Sequence, residues 1–248
     1  MNEKIKILLK ITGIILYAAV ILIMTVSCLS IKGISGSGNI ISEERKVEGF
    51  SGILVSAGIN LFISQGSIES LKIEAEDNII PLLITEVKNG KLEIHYKHLG
   101  LSSLRLIKPV NVYATVKELN DLGVSSGATV KSEEINTDSI KINLSSGASG
   151  ELSIQTSSID VNLSSGTNMR ISGKTDIQKI NLSSGSSYDA LDFVSKSAAI
   201  DASSGSSAKI NVSDGLDVNI SSGGLVQYKG TPKISSDISS GATLKNIN

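Results

Sequence analysis

The tripeptide Ser-Ser-Gly occurs seven times in the second half of the chain, at intervals of 18 to 20 residues. The first serines of the seven copies are Ser125, Ser145, Ser164, Ser183, Ser203, Ser221 and Ser239. A period of about 19 residues, sustained over seven copies, predicts a solenoid in which each repeat forms one coil. Each coil is then expected to bury its apolar face against its two neighbours.

The residues before each Ser-Ser-Gly alternate between apolar and polar side chains. In the second copy, Ile140, Ile142 and Leu144 are separated by Lys141 and Asn143. This period of two predicts a β-strand with one buried face, and the segments are too short for an amphipathic helix. The position four residues before the first serine alternates in charge, which predicts that equivalent strands stack in register. Its first four members are Asp121, Lys141, Asp160 and Lys179.

Each Ser-Ser-Gly is expected to form a corner of the coil, because glycine adopts positive φ without steric cost. Strict continuation of the alternation would turn the second serine inward, where its hydroxyl group would need a hydrogen-bond partner. The second serines are Ser126, Ser146, Ser165, Ser184, Ser204, Ser222 and Ser240. The serine array is either a structural corner motif or a ladder of hydroxyl groups that binds a ligand.

A column of polar residues lies two positions before the first serine of each copy. From the second copy onward its members are Asn143, Asn162, Asn181, Asp201, Asn219 and Asp237. Together with the first serines, this column predicts a polar stripe along one outer face of the solenoid. The stripe is either a surface for an ordered ligand such as a polysaccharide, or a ladder of side chains that bond to one another.

The start of the chain differs from the repeats. A lysine-containing segment precedes the almost wholly apolar residues 11–24, and small residues then lead to Cys28, the only cysteine. This order is typical of a bacterial lipoprotein signal peptide over residues 1–27, with a lipid attached to Cys28. Residues 7–31 are also long enough to cross a bilayer, so an uncleaved membrane helix is one alternative, and a free thiol at Cys28 is another. Either anchor predicts a protein of the bacterial cell envelope, on the outer membrane or cell surface where two membranes are present.

The remaining chain is predicted to be a short linker, residues 28–38, and one β-helix domain, residues 39–248. Residues 39–119 are strand-like but less regular, and we expect them to form the opening coils and a cap. Residues 120–248 carry the seven repeats. The length predicts about ten or eleven coils, and parallel crossovers predict a right-handed winding.

Residues 36–66 carry a series of short motifs ahead of the repeats. The motifs are Gly36-Ser-Gly-Asn39, Arg45, Phe50, Ser56-Ala-Gly-Ile-Asn60 and Gln65-Gly66. In this order, and followed by the 19-residue repeat, they resemble the head GIN domain family of auto-transporter adhesins, over residues 36–245. The resemblance implies a single-stranded right-handed β-helix on a secreted or lipid-anchored bacterial protein. It also implies an adhesin-like role and no established enzymatic activity.

The ionisable residues give little indication of chemistry. Asp201 and Asp237 share an outer column, but Asn219 separates them by two coil steps, about 10 Å, which exceeds the spacing of glycosidase carboxylate pairs. His95 and His98 are the only histidines, and the period of two places them on opposite faces of one strand. We therefore expect no catalytic residue, no cofactor and no metal site.

The sequence thus predicts an all-β, single-stranded right-handed parallel β-helix in a non-catalytic envelope lipoprotein. Its net charge of −1 argues against a nucleic-acid partner, and the expected partner is an envelope, glycan or protein ligand. A polysaccharide lyase or hydrolase is the first alternative, and it would bring at least three ionisable side chains together in one outer groove. End-to-end self-association of the solenoid is the second alternative.

Overall fold

The computed structural model describes residues 33–98 and 103–248. The predicted signal peptide, its alternative membrane helix and Cys28 lie outside the described residues. Among the residues that are described, no helix is both long and apolar enough to cross a membrane.

The chain divides into two units, residues 1–35 with 99–105 and residues 36–98 with 106–248. In the first unit, strands β1 (Ile34–Ser35) and β8 (Leu104–Arg105) pair in parallel. The elements of the second unit are β2 (Ile40–Arg45), β3 (Gly52–Val55), β4 (Asn60–Gln65), β5 (Ser70–Glu76), the 3-10 helix η1 (Ile80–Leu82), β6 (Leu83–Lys88), β7 (Lys91–Tyr96), β9 (Asn111–Val116), β10 (Asp121–Val124), β11 (Thr129–Leu144), β12 (Ser149–Leu163), β13 (Asn168–Leu182), β14 (Ser187–Ala202), β15 (Ser207–Ile220), β16 (Leu225–Lys229), β17 (Lys233–Ile238) and β18 (Thr243–Asn246).

The second unit is a parallel β-solenoid of about seven turns with coils of about 19 residues, which confirms the predicted fold class. Five long strands, β11 to β15, each bend to form most of one coil. We call the strand segments before each corner the pre-corner ladder, and those after it the post-corner ladder. The predicted charge column is in register, since Lys141 lies between Asp121 and Asp160 on the neighbouring strands.

The core consists of inward columns of aliphatic side chains. The pre-corner column Ile142, Val161, Ile180, Ile200 and Val218 is at most 2% exposed. Stacked coils thus bury one aliphatic residue from each repeat above the next, and a core of this kind needs few aromatic residues. The two largest buried side chains, Tyr188 and Phe193, both belong to β14.

One polar network lies inside this core. Gln178 is fully buried and donates a hydrogen bond from its amide nitrogen to Ser195 Oγ at 2.7 Å. Tyr188 donates to the Gln178 carbonyl oxygen at 3.3 Å, and Ser195 donates to the Asn211 backbone carbonyl at 3.1 Å. Burial raises the pKa of Tyr188. A buried amide is tolerated here because its polar atoms are bonded.

The prediction of ten or eleven coils is wrong, because between β4 and β9 only β7 joins the parallel stack, while β5 and β6 belong to a cap. β5 runs antiparallel to both β2 and β9, and β6 runs antiparallel to β7. The β6–β7 turn is the Asn89-Gly90 pair, with φ of 50° and 74°, values that a two-residue hairpin requires. Antiparallel strands at this end cover the edges of the first parallel coils.

The order of the first coils in the stack differs from their order along the chain. β3 pairs with β10 on one side and with β7 on the other, while β4 pairs with β11 and β9. The coil built from β3 and β4 therefore lies in the middle. Strands β7 and β9 lie on one side of it, and strands β10 and β11 lie on the other. In chain order this coil comes first, and β7 and β9, which follow it, pair with its outer edge at the capped end of the solenoid.

Candidate functional site

The Ser-Ser-Gly corners are tight turns with two consecutive residues at positive φ. The second serines have φ of 50° to 58° and the glycines 67° to 73°. In the first copy, the N–H of Ala128 donates to the Ser125 carbonyl at 3.1 Å, which closes a four-residue turn. Gly127 N–H donates to the Ser146 carbonyl of the next coil at 3.0 Å. The glycine corner is thus confirmed, and the backbone itself joins successive corners.

The prediction that the second serine points inward is wrong. Ser126 and its equivalents are exposed, and in the first six copies the residue after the glycine occupies the buried, inward position instead. Two consecutive positive φ angles reverse the backbone, so the strand alternation does not continue through the turn. These inward residues are small: Ala128, Ala148, Thr167, Ser186, Ser206 and Gly224. Where that residue is serine, its hydroxyl bonds a backbone carbonyl of the preceding coil, as Ser186 does to Leu163 at 3.2 Å.

The Gly-Ile-Asn tripeptide belongs to an eighth corner of the same kind. Ala57 and Gly58 have φ of 63° and 72°, and Gly58 N–H donates to the Ser126 carbonyl at 3.0 Å. Ile59 takes the inward position and is fully buried. The tripeptide thus ends one corner and begins β4, so its glycine and isoleucine have structural roles.

Other motif residues of this segment hold the cap together. Gly36 leaves room for the buried Glu76, because a Cβ atom there would lie 2.0 Å from the Glu76 carboxylate. Glu76 accepts hydrogen bonds from the backbone N–H groups of Gly38 and Ile107, at 2.7 and 3.2 Å. Arg45 donates to the carbonyls of Leu83 and Ile80, at 2.8 and 3.0 Å. These contacts tie residues 36–45 to the body of the solenoid.

The predicted polar stripe lies on the pre-corner ladder, where side-chain hydrogen bonds join its residues in two groups, Asn143 to Asn181 and Asp201 to Asn219. Asn162 donates to Asn143 at 3.2 Å, Asn181 donates to Asn162 at 2.9 Å, and Asn219 donates to Asp201 at 3.0 Å. These five residues and the first serines from Ser145 to Ser221 line a shallow groove of about 530 Å³. Asp237, the sixth predicted member, lies in register with Asn219 on the exposed strand β17 but does not line the groove.

Toward the cap, two non-polar residues interrupt the polar column before it continues. The next positions in the column are Gly123, Leu54 and then Glu93. A Cβ atom on Gly123 would lie 2.5 Å from Leu54 Cδ2, so the Leu54 side chain covers this glycine. A second groove of about 380 Å³ begins at Asn143 and reaches Glu93 and His95. The polar stripe therefore leads to a cluster of ionisable residues.

This cluster consists of Glu86, Glu93 and His95, which lie on the β6–β7 hairpin. One ligand-type atom from each residue lies within 4.8 Å of the others, and all three side chains are half-buried. Sequence reasoning considered His95 only beside His98 and missed Glu86, which faces Glu93 across the hairpin. Burial raises the pKa of the adjacent Tyr96 to about 12.

A second polar ladder, which the sequence analysis did not find, begins at the asparagine of the Gly-Ile-Asn motif. Asn60 donates to Asn111 at 3.0 Å and accepts from Thr129 at 2.8 Å. Beside it runs a charge column in which Lys131 pairs with Glu151 at 2.7 Å, and this hydrogen bond lowers the pKa of Glu151. The signal was available in the sequence, since the residues after each corner also repeat every 19 positions.

The family model described as "putative auto-transporter adhesin, head GIN domain" matches residues 49–232. The chain belongs to this family. The match confirms the resemblance over residues 49–232, which include Ser56-Ala-Gly-Ile-Asn60 and most of the repeats, whereas Gly36-Ser-Gly-Asn39 and Arg45 lie before the matched range. Among curated proteins, no sequence matches this head GIN protein.

Solved structures share the fold of this head GIN protein. A putative adhesin from Bacteroides fragilis has a TM-score of 0.81 at 21% identity, covering 87% of this chain and 100% of that chain. A putative lipid binding protein from Parabacteroides distasonis has a TM-score of 0.73 at 21% identity, with coverage of 88% and 100%. A putative adhesin from Parabacteroides merdae gives 0.73 at 18% identity, also with 88% and 100%. At these identities the likeness establishes the solenoid fold.

Proposed function

We propose that the protein is a non-catalytic, adhesin-like component of the bacterial cell envelope, and that its polar stripe binds a glycan chain. Membership of a family described as adhesins supports the adhesin-like role, and the names of two structural neighbours agree with it. The observation that carries the glycan assignment is the amide ladder along the groove of the pre-corner ladder.

The ladder presents hydrogen-bonding groups in a fixed orientation. A side-chain amide has two N–H donors and an oxygen with two lone pairs. In Asn181, one N–H donates to Asn162, which leaves the second N–H and the oxygen for a ligand in the groove. Neighbouring positions follow at the coil spacing of about 4.8 Å, and Asn162, whose amide nitrogen also donates to Asp160 at 3.0 Å, offers its oxygen. Such a row fits an extended polymer that offers hydroxyl groups at regular intervals.

The charge of the groove agrees with a neutral ligand. Its lining contains asparagine, serine, leucine, alanine and one carboxylate, Asp201. Neither lysine nor arginine is among the described residues that line it. In the column beside the groove, Lys141 and Lys179 alternate with Asp121 and Asp160, so the charges of this face are balanced. A hydroxyl-rich neutral glycan is therefore the ligand class that the groove fits best.

Replacing Asn162 and Asn181 together with alanine is expected to weaken glycan binding about tenfold, since two hydrogen bonds of about 0.5–1.5 kcal/mol each are lost. The full chain would be applied to a glycan array, and the affinity for each glycan retained would then be measured by calorimetry. The control replaces Asn168 and Ser187, which lie on the post-corner ladder, with alanine, and should leave the affinity unchanged. Equal binding by both double variants, or capture of matrix proteins but no glycan, would contradict the proposal.

The polysaccharide-acting enzyme is the second candidate, and the Glu86–Glu93–His95 cluster is the observation that favours it. The three ionisable groups lie close together, and two of them, Glu93 and His95, line an outer groove. The same array experiment separates the two functions, because a binding protein returns its glycan intact. Shorter chains detected by mass spectrometry, and absent with Glu93→Gln, would identify an enzyme. Self-association of the solenoid stays a prediction.

We propose that Cys28 carries the lipid that anchors the protein to the envelope. Support comes from the basic and apolar order of the preceding residues. Mass spectrometry of the protein isolated from its native membrane should find a chain that begins at Cys28 and carries the added mass of acyl groups. A chain that retains Met1 and has no lipid on Cys28 would show instead that the uncleaved helix is the anchor.

A further inference from the structure

We propose that Glu86, Glu93 and His95 form a binding site for a divalent transition-metal ion such as Zn²⁺. The site lies on the outer face of the β6–β7 hairpin, where the groove that begins at the polar stripe ends. One imidazole and two carboxylates form a donor set that zinc accepts in proteins.

The hairpin register brings the three side chains to one face. Glu86 and Glu93 are direct partners across the antiparallel strands, and His95 follows Glu93 by two positions. Ligand atoms within 4.8 Å of one another are close to the separation of about 3.3–3.6 Å that donors have around a tetrahedral zinc ion. All three side chains are half-buried, and a bound ion would require side-chain rotations that close the remaining distance.

The orientation of His95 agrees with a ligating histidine. Its Nδ1 atom lies 2.9 Å from the backbone carbonyl oxygen of Tyr96. A protonated Nδ1 donates to that carbonyl and leaves the lone pair of Nε2 available for a metal ion. Histidine ligands in metal sites usually make this contact with their second ring nitrogen, because it fixes both the tautomer and the ring orientation.

The electrostatics of the hairpin also favour a bound cation. Two carboxylates directly opposite each other on paired strands repel and destabilise the pairing. Lys88 forms an ion pair with one oxygen of Glu86 at 2.5 Å, which compensates one of the two charges. A divalent ion between Glu86 and Glu93 would compensate the second charge and convert the repulsion into attraction.

Three protein ligands leave at least one coordination position open on a four-coordinate zinc ion. The adjoining groove is lined by Ser56 and Ser125, together with Glu93 and His95. An oxygen atom of a ligand in that groove could complete the coordination. The metal site stands on the hairpin geometry alone, so it does not depend on glycan binding to the stripe.

Titration of the metal-free full chain with ZnCl₂, followed by calorimetry, tests the site. We expect one ion per chain, with a Kd in the micromolar range, about 1–100 μM. His95→Ala and Glu93→Gln should each weaken binding at least tenfold, whereas His98→Ala is the matched control and should bind as the native chain does. The thermal unfolding temperature should rise with added zinc in the native chain and in His98→Ala only.

The proposal is overturned if the native chain shows no binding at about 1 mM ZnCl₂, well above the expected Kd. It is also overturned if His95→Ala binds as tightly as the native chain, or if His98→Ala loses the site. Circular dichroism of each variant shows whether the solenoid has folded. Glu86→Gln, which removes a charge without removing volume, provides a further measurement should either of the other cluster variants misfold.

Discussion

Replacing Gly173 with alanine is expected to destabilise the solenoid by roughly 3 kcal/mol or more, because a side chain there collides with fixed backbone. Gly173 has φ of 117°, a region that residues with a side chain rarely adopt. A Cβ atom would lie 2.0 Å from the Ile154 carbonyl oxygen on β12. Gly173 pairs with Ile154 on one side and Phe193 on the other, so the backbone has little freedom to move away.

Thermal and denaturant unfolding of the full chain would measure this effect. A loss of this size lowers the unfolding temperature by about 6–12 °C in a domain of this length. Gly215→Ala is the matched control, since its Cβ atom would lie 3.6 Å from Ser197 Oγ, an ordinary contact. If Gly173→Ala and Gly215→Ala unfold at the same temperature, β12 and β13 do not approach each other closely at Gly173.

Replacing Phe193 with alanine is expected to cost about 3–5 kcal/mol, the usual range for deleting a fully buried phenylalanine. Phe193 is 0% exposed and is one of the two largest buried side chains of the solenoid. The lost stability has two contributions, the free energy of transferring the ring from water to the core and the cost of the cavity that remains. Because β14 is paired on both sides, its backbone hydrogen bonds fix the spacing to the neighbouring coils, which cannot move in to fill the cavity.

The neighbouring residue supplies the control for this variant. Val194 is 48% exposed, so Val194→Ala should change the free energy of unfolding by less than about 0.5 kcal/mol. Both variants would be compared by denaturant unfolding monitored by circular dichroism. Equal losses in the two variants would mean that the alternation of inward and outward residues in β14 is not the one described.

The repeat, its strands and its corner glycines could be predicted because they depend on local rules. A period of two in residues such as Ile140, Ile142 and Leu144 follows from the pleat of a strand, and the structure buries all three. Positive φ at Gly127 and its equivalents follows from the lack of a side chain. Stacking in register could be predicted from the alternating charges of Asp121, Lys141, Asp160 and Lys179, which lie on neighbouring strands.

The second serine was predicted wrongly for an equally local reason. Alternation describes an extended backbone, but Ser126 has φ of 53°. Non-glycine residues seldom adopt such an angle, so the sequence favoured continuation of the strand through Ser126. The structure instead turns over two residues and returns to the core at Ala128, which is fully buried. Two consecutive residues in the left-handed region thus shift the inward position by two places.

The cap and the Glu86–Glu93–His95 cluster depend on contacts between residues that are far apart along the chain. The corner at Ala57 and Gly58 stacks on the corner at Ser126, although the cap strands separate them in sequence. Their shared geometry was hidden because alanine replaces the second serine and the spacing is not 19 residues. Glu86 likewise meets Glu93 only because the β6–β7 hairpin folds back. Pairing of this kind depends on topology rather than on periodicity.

The most direct test of the polar stripe as the binding surface is a nuclear magnetic resonance titration of the full chain with a glycan retained on the array. The side-chain amide signals of Asn143, Asn162, Asn181 and Asn219 can be followed individually. We expect these four signals to shift together as the glycan saturates the protein, while those of Asn60 and Asn168 on the post-corner ladder stay unchanged. Shifts of Asn60 and Asn168 without shifts of the stripe asparagines would contradict it.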